Sequence, residues 1–358
     1  MREQNLYKVI GLMSGTSGDG LDMAYCIFER GNKWNFKIES AKTVSFPKKL
    51  GKKLQKSHLY NGLKLAKLDL EFGLWMGEQV KDFVTTEELQ VDAVCSHGHT
   101  VFHQPKKGIS LQIGNGWALH QAAGVPVIND FRMLDVQLGG QGAPLVPIGD
   151  QLLFEDYDYC INLGGIANIS MQESGKRIAF DICPFNLLLN YFAQEAGHSY
   201  DKDGLLASQG KVLKKMLNQL DGFPYYKIEG AKSLGREDLE DYLDVLTQKK
   251  ERKPEDILRT LLEHYVSQIK NVLLSEDGIR KTVLITGGGA FNKFFMDLLE
   301  ESLGDGYLIV AAGETIINFK EALIFGFLGV LRLRNEVNCL ASVTGASRDN
   351  CGGTIFGL

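Results

Sequence analysis

An apolar run, a glycine-rich turn and then two more strand-like runs occur twice in this chain, about 150 residues apart, and nothing else in the sequence restricts the fold as much. The first copy reads as strands over 6–13, 21–28 and 34–44, with Ser14-Gly15-Thr16-Ser17-Gly18-Asp19-Gly20 as the turn. The second reads as strands over 159–163, 167–171 and 177–181, with Gly164-Gly165 as the turn. The residues are barely alike; what repeats is the apolar patterning and the place of the glycines. Duplication of one α/β unit is the economical reading. The 358 residues agree, because a single core stops growing near roughly 250–300 residues.

Each copy continues as alternating helices and strands. After the first meander the spacing predicts helices over 47–59 and 63–83, strands over 91–96 and 111–113, a helix over 117–123 and a strand over 125–129. Periodicity stops at Gly139-Gly140-Gln141-Gly142-Ala143-Pro144, a plausible crossing between domains. An N-terminal domain over 1–135 and a C-terminal domain over 136–339 follow, with the tail from about 340 to 358 free to pack back on the first. The second domain should hold helices over 184–196, 211–220, 236–247 and 255–274, a strand over 282–286, a helix from 292, a strand over 307–311 and a helix over 319–333.

The 40 glycines exceed the usual share of about 7 % and gather at strand ends, where backbone must approach a ligand or another chain segment. A formal charge of -5 argues against a nucleic-acid partner, which calls for a basic stripe. No apolar run nears the roughly 18 residues of a membrane span, and the first residues lack a signal-type apolar stretch, so the expected location is the cytoplasm, away from membranes. Cys26, Cys95, Cys160, Cys183, Cys339 and Cys351 form no CxxC pair and read as reduced, mostly buried thiols.

Two glycine turns and a third glycine cluster, Gly287-Gly288-Gly289, are what a nucleotide clamp needs. Amides bind phosphate oxygens only where no side chain blocks the approach. In the first turn Thr16 and Ser17 add hydroxyls, and Asp19 offers a carboxylate for magnesium. The same Asp19-Gly20 pair also fits an ordinary hairpin. Asn162 and Asn168 flank the second turn and suit hydrogen bonding in a cleft, whereas the third cluster also fits close strand–helix packing. There is no GxxxxGK[ST] signature. Asp181, read as the end of a strand, is placed to take a proton from a hydroxyl or water. His97, His99 and His103 would share one face of an unbroken strand as metal ligands, but Gly98 and Pro105 interrupt it and polar residues lining a sugar pocket explain them better. Arg132 suits clamping a carboxylate or a surface ion pair, and Glu321 reads as a helix-start acid or a pocket residue.

The chain resembles the anhydro-N-acetylmuramic acid kinases. The resemblance rests on Gly11-Leu12-Met13-Ser14-Gly15-Thr16-Ser17 with Asp19-Gly20 and Asp22, on Ser96-His97-Gly98 with Thr100, and on Pro126 with Asp130-Phe131-Arg132. It continues in Gly139-Gly140-Gln141-Gly142-Ala143-Pro144-Leu145-Val146-Pro147, Asn162-Leu163-Gly164-Gly165-Ile166-Ala167-Asn168 and Tyr200-Asp201-Lys202-Asp203-Gly204. Gly287-Gly288-Gly289 with Asn292, Glu321-Ala322 and Val343-Thr344-Gly345-Ala346 complete it, in order along nearly the whole chain.

What the resemblance implies is an α/β protein of the actin-like ATPase fold, two ribonuclease-H-like domains with ATP, magnesium and sugar in the cleft between them. It implies hydrolytic opening of the 1,6-anhydro sugar released from peptidoglycan with transfer of the γ-phosphate to O6. Asp181 matches the catalytic base of the family. The cofactor residues would be Gly15, Thr16, Ser17, Gly18, Asp19, Gly20, Leu21, Asp22, Gly164, Gly165, Gly287, Gly288, Gly289 and Asn292, with Asp19 holding the metal. The sugar residues would be His97, Thr100, Arg132, Asn168, Asn186 and Glu321. The resemblance is compatible with a homodimer. The chain departs from the family at Gly18, at His99 in place of glutamine, and at Ile182-Cys183-Pro184-Phe185-Asn186 in place of Thr-Gly-Pro-Gly-Asn, which bears on the pocket floor and the choice of sugar. The alternatives are an actin-like ATPase serving as a chaperone or regulatory module, a kinase of a related amino sugar, and a metal hydrolase built on the histidines.

Overall fold

The computed structural model describes residues 4–14, 20–228, 230, 232–235, 238–248, 252–273 and 279–358. They form two compact units, Met1–Phe154 with Phe319–Leu358, and Glu155–Asn318.

Along the chain come β1 (Leu6–Ser14), β2 (Gly20–Arg30), β3 (Trp34–Ser45), β4 (Ala93–Ser96), β5 (His99–Gln104), β6 (Ile109–Ile113) and β7 (Val127–Asn129). The second unit holds β8 (Tyr159–Leu163), β9 (Ile166–Glu173), β10 (Lys176–Pro184), β11 (Lys281–Thr286) and β12 (Tyr307–Ala311), and β13 (Thr354–Phe356) ends the chain. In the first unit the sheet order is β13-β7-β4-β1-β2-β3, and in the second it is β10-β9-β8-β11-β12. Both are an antiparallel meander whose first strand pairs in parallel with a later one, β1 with β4 and β8 with β11. That is the ribonuclease-H-like arrangement, present twice, and it is the repeat visible in the sequence.

The first core lies between Ile10, Leu12, Leu21 and Met23 of the sheet and the helix Gly62–Thr86. That helix starts where the Asn61 side chain accepts the Lys64 amide, and it buries Leu68, Phe72, Met76 and Val80 at four-residue spacing. Each such side chain contributes about 1.5–3 kcal/mol. On the helix Glu314–Arg334, Ala322 comes so near Gly11 that any side chain there would strike its carbonyl oxygen. Gly329 meets Cys95 equally closely.

The crossing points differ from the 135/136 and 339/340 expected. The helix Pro147–Leu153 stays with the first unit because Gly149 rests on Ile324, and the Phe154 ring meets Phe36 edge-on at 5.2 Å. The return falls inside the helix Glu314–Arg334, which begins before the 319 expected. β13 then pairs with β7, so the tail closes the edge of the first sheet. β10 differs too: it does not stop at Asp181 but runs to Pro184 through a bulge between Asp181 and Cys183. All six cysteines are free, five of them buried. No helix among the described residues is long and apolar enough to cross a membrane.

Candidate active site

In the second unit strand register places Asp181 opposite Asn168, Asn168 opposite Asn162, and Asn162 beside Thr286. Residues paired in this way share a face of the sheet, so one polar row crosses four strands at about 4.8 Å per step. Gly287 follows Thr286 in a left-handed conformation (φ +80°), and a side chain there would strike Asn162 and the Leu163 backbone. Asn162 is thus packed against the third glycine cluster. Gly164 and Gly165 accept the amides of Asn186 and Phe185, while the Asn186 amide group donates to the Leu163 carbonyl at 3.0 Å. The Asn186 side chain therefore braces the glycine turn and lies near Gly288. Asn292 spends its Oδ1 capping the helix Lys293–Leu303, 3.0 Å from the Phe295 amide.

Asp181 is half-buried. Its Oδ2 accepts the Leu234 amide at 2.9 Å and the Ser233 hydroxyl at 3.1 Å, and its carbonyl accepts the Tyr225 hydroxyl at 2.6 Å. Burial pushes its carboxyl above the usual range, and the two bonds to Oδ2 only partly offset that. The departures that follow do not face a pocket. Ile182, Cys183 and Phe185 are 1 %, 0 % and 0 % exposed, and the Phe185 ring sits 4.9 Å from both Tyr265 and Phe295. Phe185 also lies against Gly289, so the exchange of glycine for phenylalanine fills core space under the glycine cluster.

In the first unit Arg132 follows β7 and turns back on His97. Its Nε and one terminal nitrogen lie 3.1 and 2.9 Å from His97 Nε2, and the other terminal nitrogen donates to the Gly142 carbonyl at 2.6 Å. Only a neutral imidazole can accept at Nε2, which puts the proton on Nδ1, 2.9 Å from the Gly98 carbonyl. Burial, followed by the neighbouring guanidinium, holds His97 well below its ordinary pKa, and burial lowers Arg132 to about 10. Gly142 is held by Asp135, which is 0 % exposed: Oδ2 accepts the Gly142 amide at 2.8 Å, and Oδ1 accepts Thr344 and Asn350 at 2.8 and 2.9 Å. The glycine loop and the Val343-Thr344-Gly345-Ala346 motif thus share one buried carboxylate.

Asp22 on β2 accepts the Thr43 hydroxyl, and burial raises its pKa. Glu321 is raised by burial first; Arg132 and Lys320 oppose this and Asp22 adds to it, so Asp22, Arg132 and Glu321 form one charge cluster. Thr100 accepts from the Gln112 side chain at 3.3 Å within the β5–β6 hairpin. A cavity of about 210 Å³ beside His97 is lined by Asp69, Gln112, Asn115, Asn129 and Asp130, groups suited to hydroxyls. The three histidines do not converge. β5 begins only at His99, His99 turns to Ser14 at 3.3 Å, His103 turns to Ser110 at 3.1 Å, and no metal-binding cluster exists among the described residues.

Gly15, Thr16, Ser17, Gly18 and Asp19 lie outside the described residues. Gly20 and Leu21 open β2, opposite Ser45 and Val44. The sequence reading missed Asp135, Tyr225 and Ser233. Asp135 had a signal in its place between two family motifs, whereas Tyr225 and Ser233 lie 44 and 52 residues from Asp181 and had none.

A family model described as anhydro-N-acetylmuramic acid kinase matches residues 7–357. A protein of that name from Pseudomonas syringae pv. syringae is 33 % identical over 363 residues, covering 97 % of this chain and 98 % of the relative. Another from Francisella tularensis subsp. novicida is 33 % identical over 363 residues, covering 94 % and 95 %. Among solved structures, the activator of the 2-hydroxyisocaproyl-CoA dehydratase from Clostridium difficile with bound ADPNP is 11 % identical, covering 89 % of this chain and 94 % of that one at a TM-score of 0.42. A ROK family glucokinase from Streptomyces griseus in complex with glucose and AMPPNP is 13 % identical, covering 90 % and 98 % at 0.41.

Proposed function

The chain belongs to the anhydro-N-acetylmuramic acid kinase family, and from that premise we propose that it is an ATP-dependent sugar kinase of cell-wall recycling. It opens 1,6-anhydro-N-acetylmuramic acid with water and yields the 6-phosphate. The match over residues 7–357 carries this reading, and the setting of Asp181 agrees with it.

Asp181 takes a proton from water through its free carboxylate oxygen as the water oxygen bonds to the anomeric carbon. The anomeric bond to O6 breaks, O6 bonds to the γ-phosphorus, and the bond from phosphorus to the ADP oxygen breaks. A carboxyl raised by burial is a better proton acceptor than an ordinary aspartate, provided that it is ionised at working pH. Arg132, held by Gly142 and His97, suits the carboxylate of the sugar, and Glu321, Thr100 and Asn168 suit its hydroxyls and amide. Gly164, Gly165 and the cluster from Gly287 to Gly289 are backbone approaches suited to nucleotide phosphates.

Magnesium would neutralise charge on the transferring phosphoryl group. Asp22 fits it as a half-buried hard-oxygen donor with one oxygen held by Thr43, and Asp19 is the second carboxylate in this reading. A cytoplasmic homodimer completes it, and light scattering on the purified protein measures that assembly. The deciding experiment is mass spectrometry of the product formed from ATP, magnesium, the anhydro sugar and oxygen-18 water. Heavy oxygen at the anomeric carbon of a 6-phosphate supports the reading. ATP hydrolysis indifferent to the sugar overturns it in favour of a regulatory ATPase.

A further inference from the structure

We propose that Ser233 and Tyr225 are positioning residues for Asp181, which hold its carboxylate so that Oδ1 alone acts as the base. This rests on the kinase reading above. β10 is the edge strand of its sheet, and the segment Lys232 to Leu234 runs along that open edge. The Asp181 amide donates to the Lys232 carbonyl at 3.1 Å, the Leu234 amide and Ser233 hydroxyl donate to Oδ2, and Tyr225 donates to the Asp181 carbonyl. The residue is gripped at its amide, its carbonyl and one carboxylate oxygen, all from a stretch 44 to 53 positions away in sequence.

The consequence is chemical. An aspartate carboxyl otherwise turns freely about its last torsion, exchanging its oxygens. Two donors on Oδ2 occupy its two lone-pair directions and stop that exchange, while no described donor reaches Oδ1. Oδ1 is left to receive a proton, in an orientation set before substrate arrives, which is where a proximity effect originates. The bulge between Asp181 and Cys183 permits this, because it releases the strand end from regular pairing while burying Ile182. Lys232 links the two halves of the grip, its ammonium lying 4.9 Å from the centre of the Tyr225 ring and 5.7 Å from that of Phe180.

The titratable groups facing Asp181 are Cys183 on its own strand and Tyr225 across from it, both raised by burial and by the Asp181 charge, with Lys232 as the nearby cation. Thiol and phenol stay neutral at working pH. The protonation of Asp181 is therefore set by burial against the two donors on Oδ2.

The test is Ser233→Ala, Ser233→Thr and Tyr225→Phe in the full chain, assayed for kcat and KM across pH. Ser233→Ala removes a donor that favours the ionised form, so the acid limb of kcat/KM moves to higher pH and kcat falls about tenfold with KM for ATP unchanged. Ser233→Thr restores both. Tyr225→Phe lowers kcat without moving the limb, since its hydroxyl bonds the backbone. A wild-type profile in Ser233→Ala overturns the proposal. Carbon-13 NMR titration of the Asp181 carboxyl reads the same movement without turnover. Wild-type protein that leaves the sugar untouched would therefore sink the kinase reading alone, and an unmoved titration would sink this one.

Discussion

Arg132 directs two of its nitrogens at a single acceptor, Nε2 of His97, and the third at the Gly142 carbonyl. Such a fork fixes the guanidinium plane, and a lysine cannot reproduce it. Arg132→Lys is expected to raise KM for the sugar at least tenfold while leaving KM for ATP within about twofold. Equal effects on both substrates would remove Arg132 from the sugar site.

The neutral state of His97 has a pH signature. Burial lowers the pKa of His97 and, with it, that of His264, whose Nδ1 meets Asp221 at 2.5 Å. Above pH 6.5 both are uncharged in the folded and unfolded chains, and their contribution to stability is fully present. As pH falls below 6.5 the unfolded chain takes up protons that the folded one refuses, so stability drops by up to about 1.4 kcal/mol per pH unit for each group. Urea midpoints from pH 7.5 to pH 5 should fall less steeply in His97→Gln than in the parent chain. Parallel curves would mean that His97 titrates normally.

Asp181→Asn keeps the shape and loses the base. Nucleotide binding, followed by calorimetry with a non-hydrolysable ATP analogue, should be unchanged, and sugar phosphorylation should fall by about 10²–10⁴-fold. Loss of both together would indicate a folding defect.

Much of this was legible because it is local and repetitive. Two strand–turn–strand–strand units follow from apolar alternation and from glycines such as Gly164, and the expected ends of β8 and β12 agree with the structure. What failed was non-local. Asp181 passes for a strand end because a bulge has no composition of its own. The bond from the Asn186 side chain to the Leu163 carbonyl had no signal either, being visible only once β8 and the helix Asn186–Glu195 are in place. In the histidine segment the interruption was legible, since Gly98, which breaks the period-two spacing, takes a left-handed turn (φ +73°).

Asp135 ties Gly142, Cys339, Thr344 and Asn350 to one carboxylate that is 0 % exposed. Asp135→Asn turns one acceptor oxygen into a donor facing other donors. It should cost about 3 kcal/mol in urea unfolding, and it should also raise KM for the sugar, because Gly142 is what Arg132 leans on. A stability loss with unchanged KM would separate the hub from the site.

Lys320 and Asp150 are 6 % and 3 % exposed, and their charged atoms stand 2.7 Å apart, in full coulombic contact though off the hydrogen-bonding direction. A pair desolvated this far gains little over apolar packing, yet either partner alone is a buried uncompensated charge. The second replacement should therefore offset most of what the first one costs. Lys320→Met should destabilise by about 3–5 kcal/mol, and adding Asp150→Leu should recover most of that loss, since the Phe154 ring already faces the lysine at 5.3 Å and offers the new side chains an apolar neighbour. Urea titration of the parent, both single variants and the double variant measures the coupling. Additive losses in the double variant would mean that the two charges do not share a desolvated site.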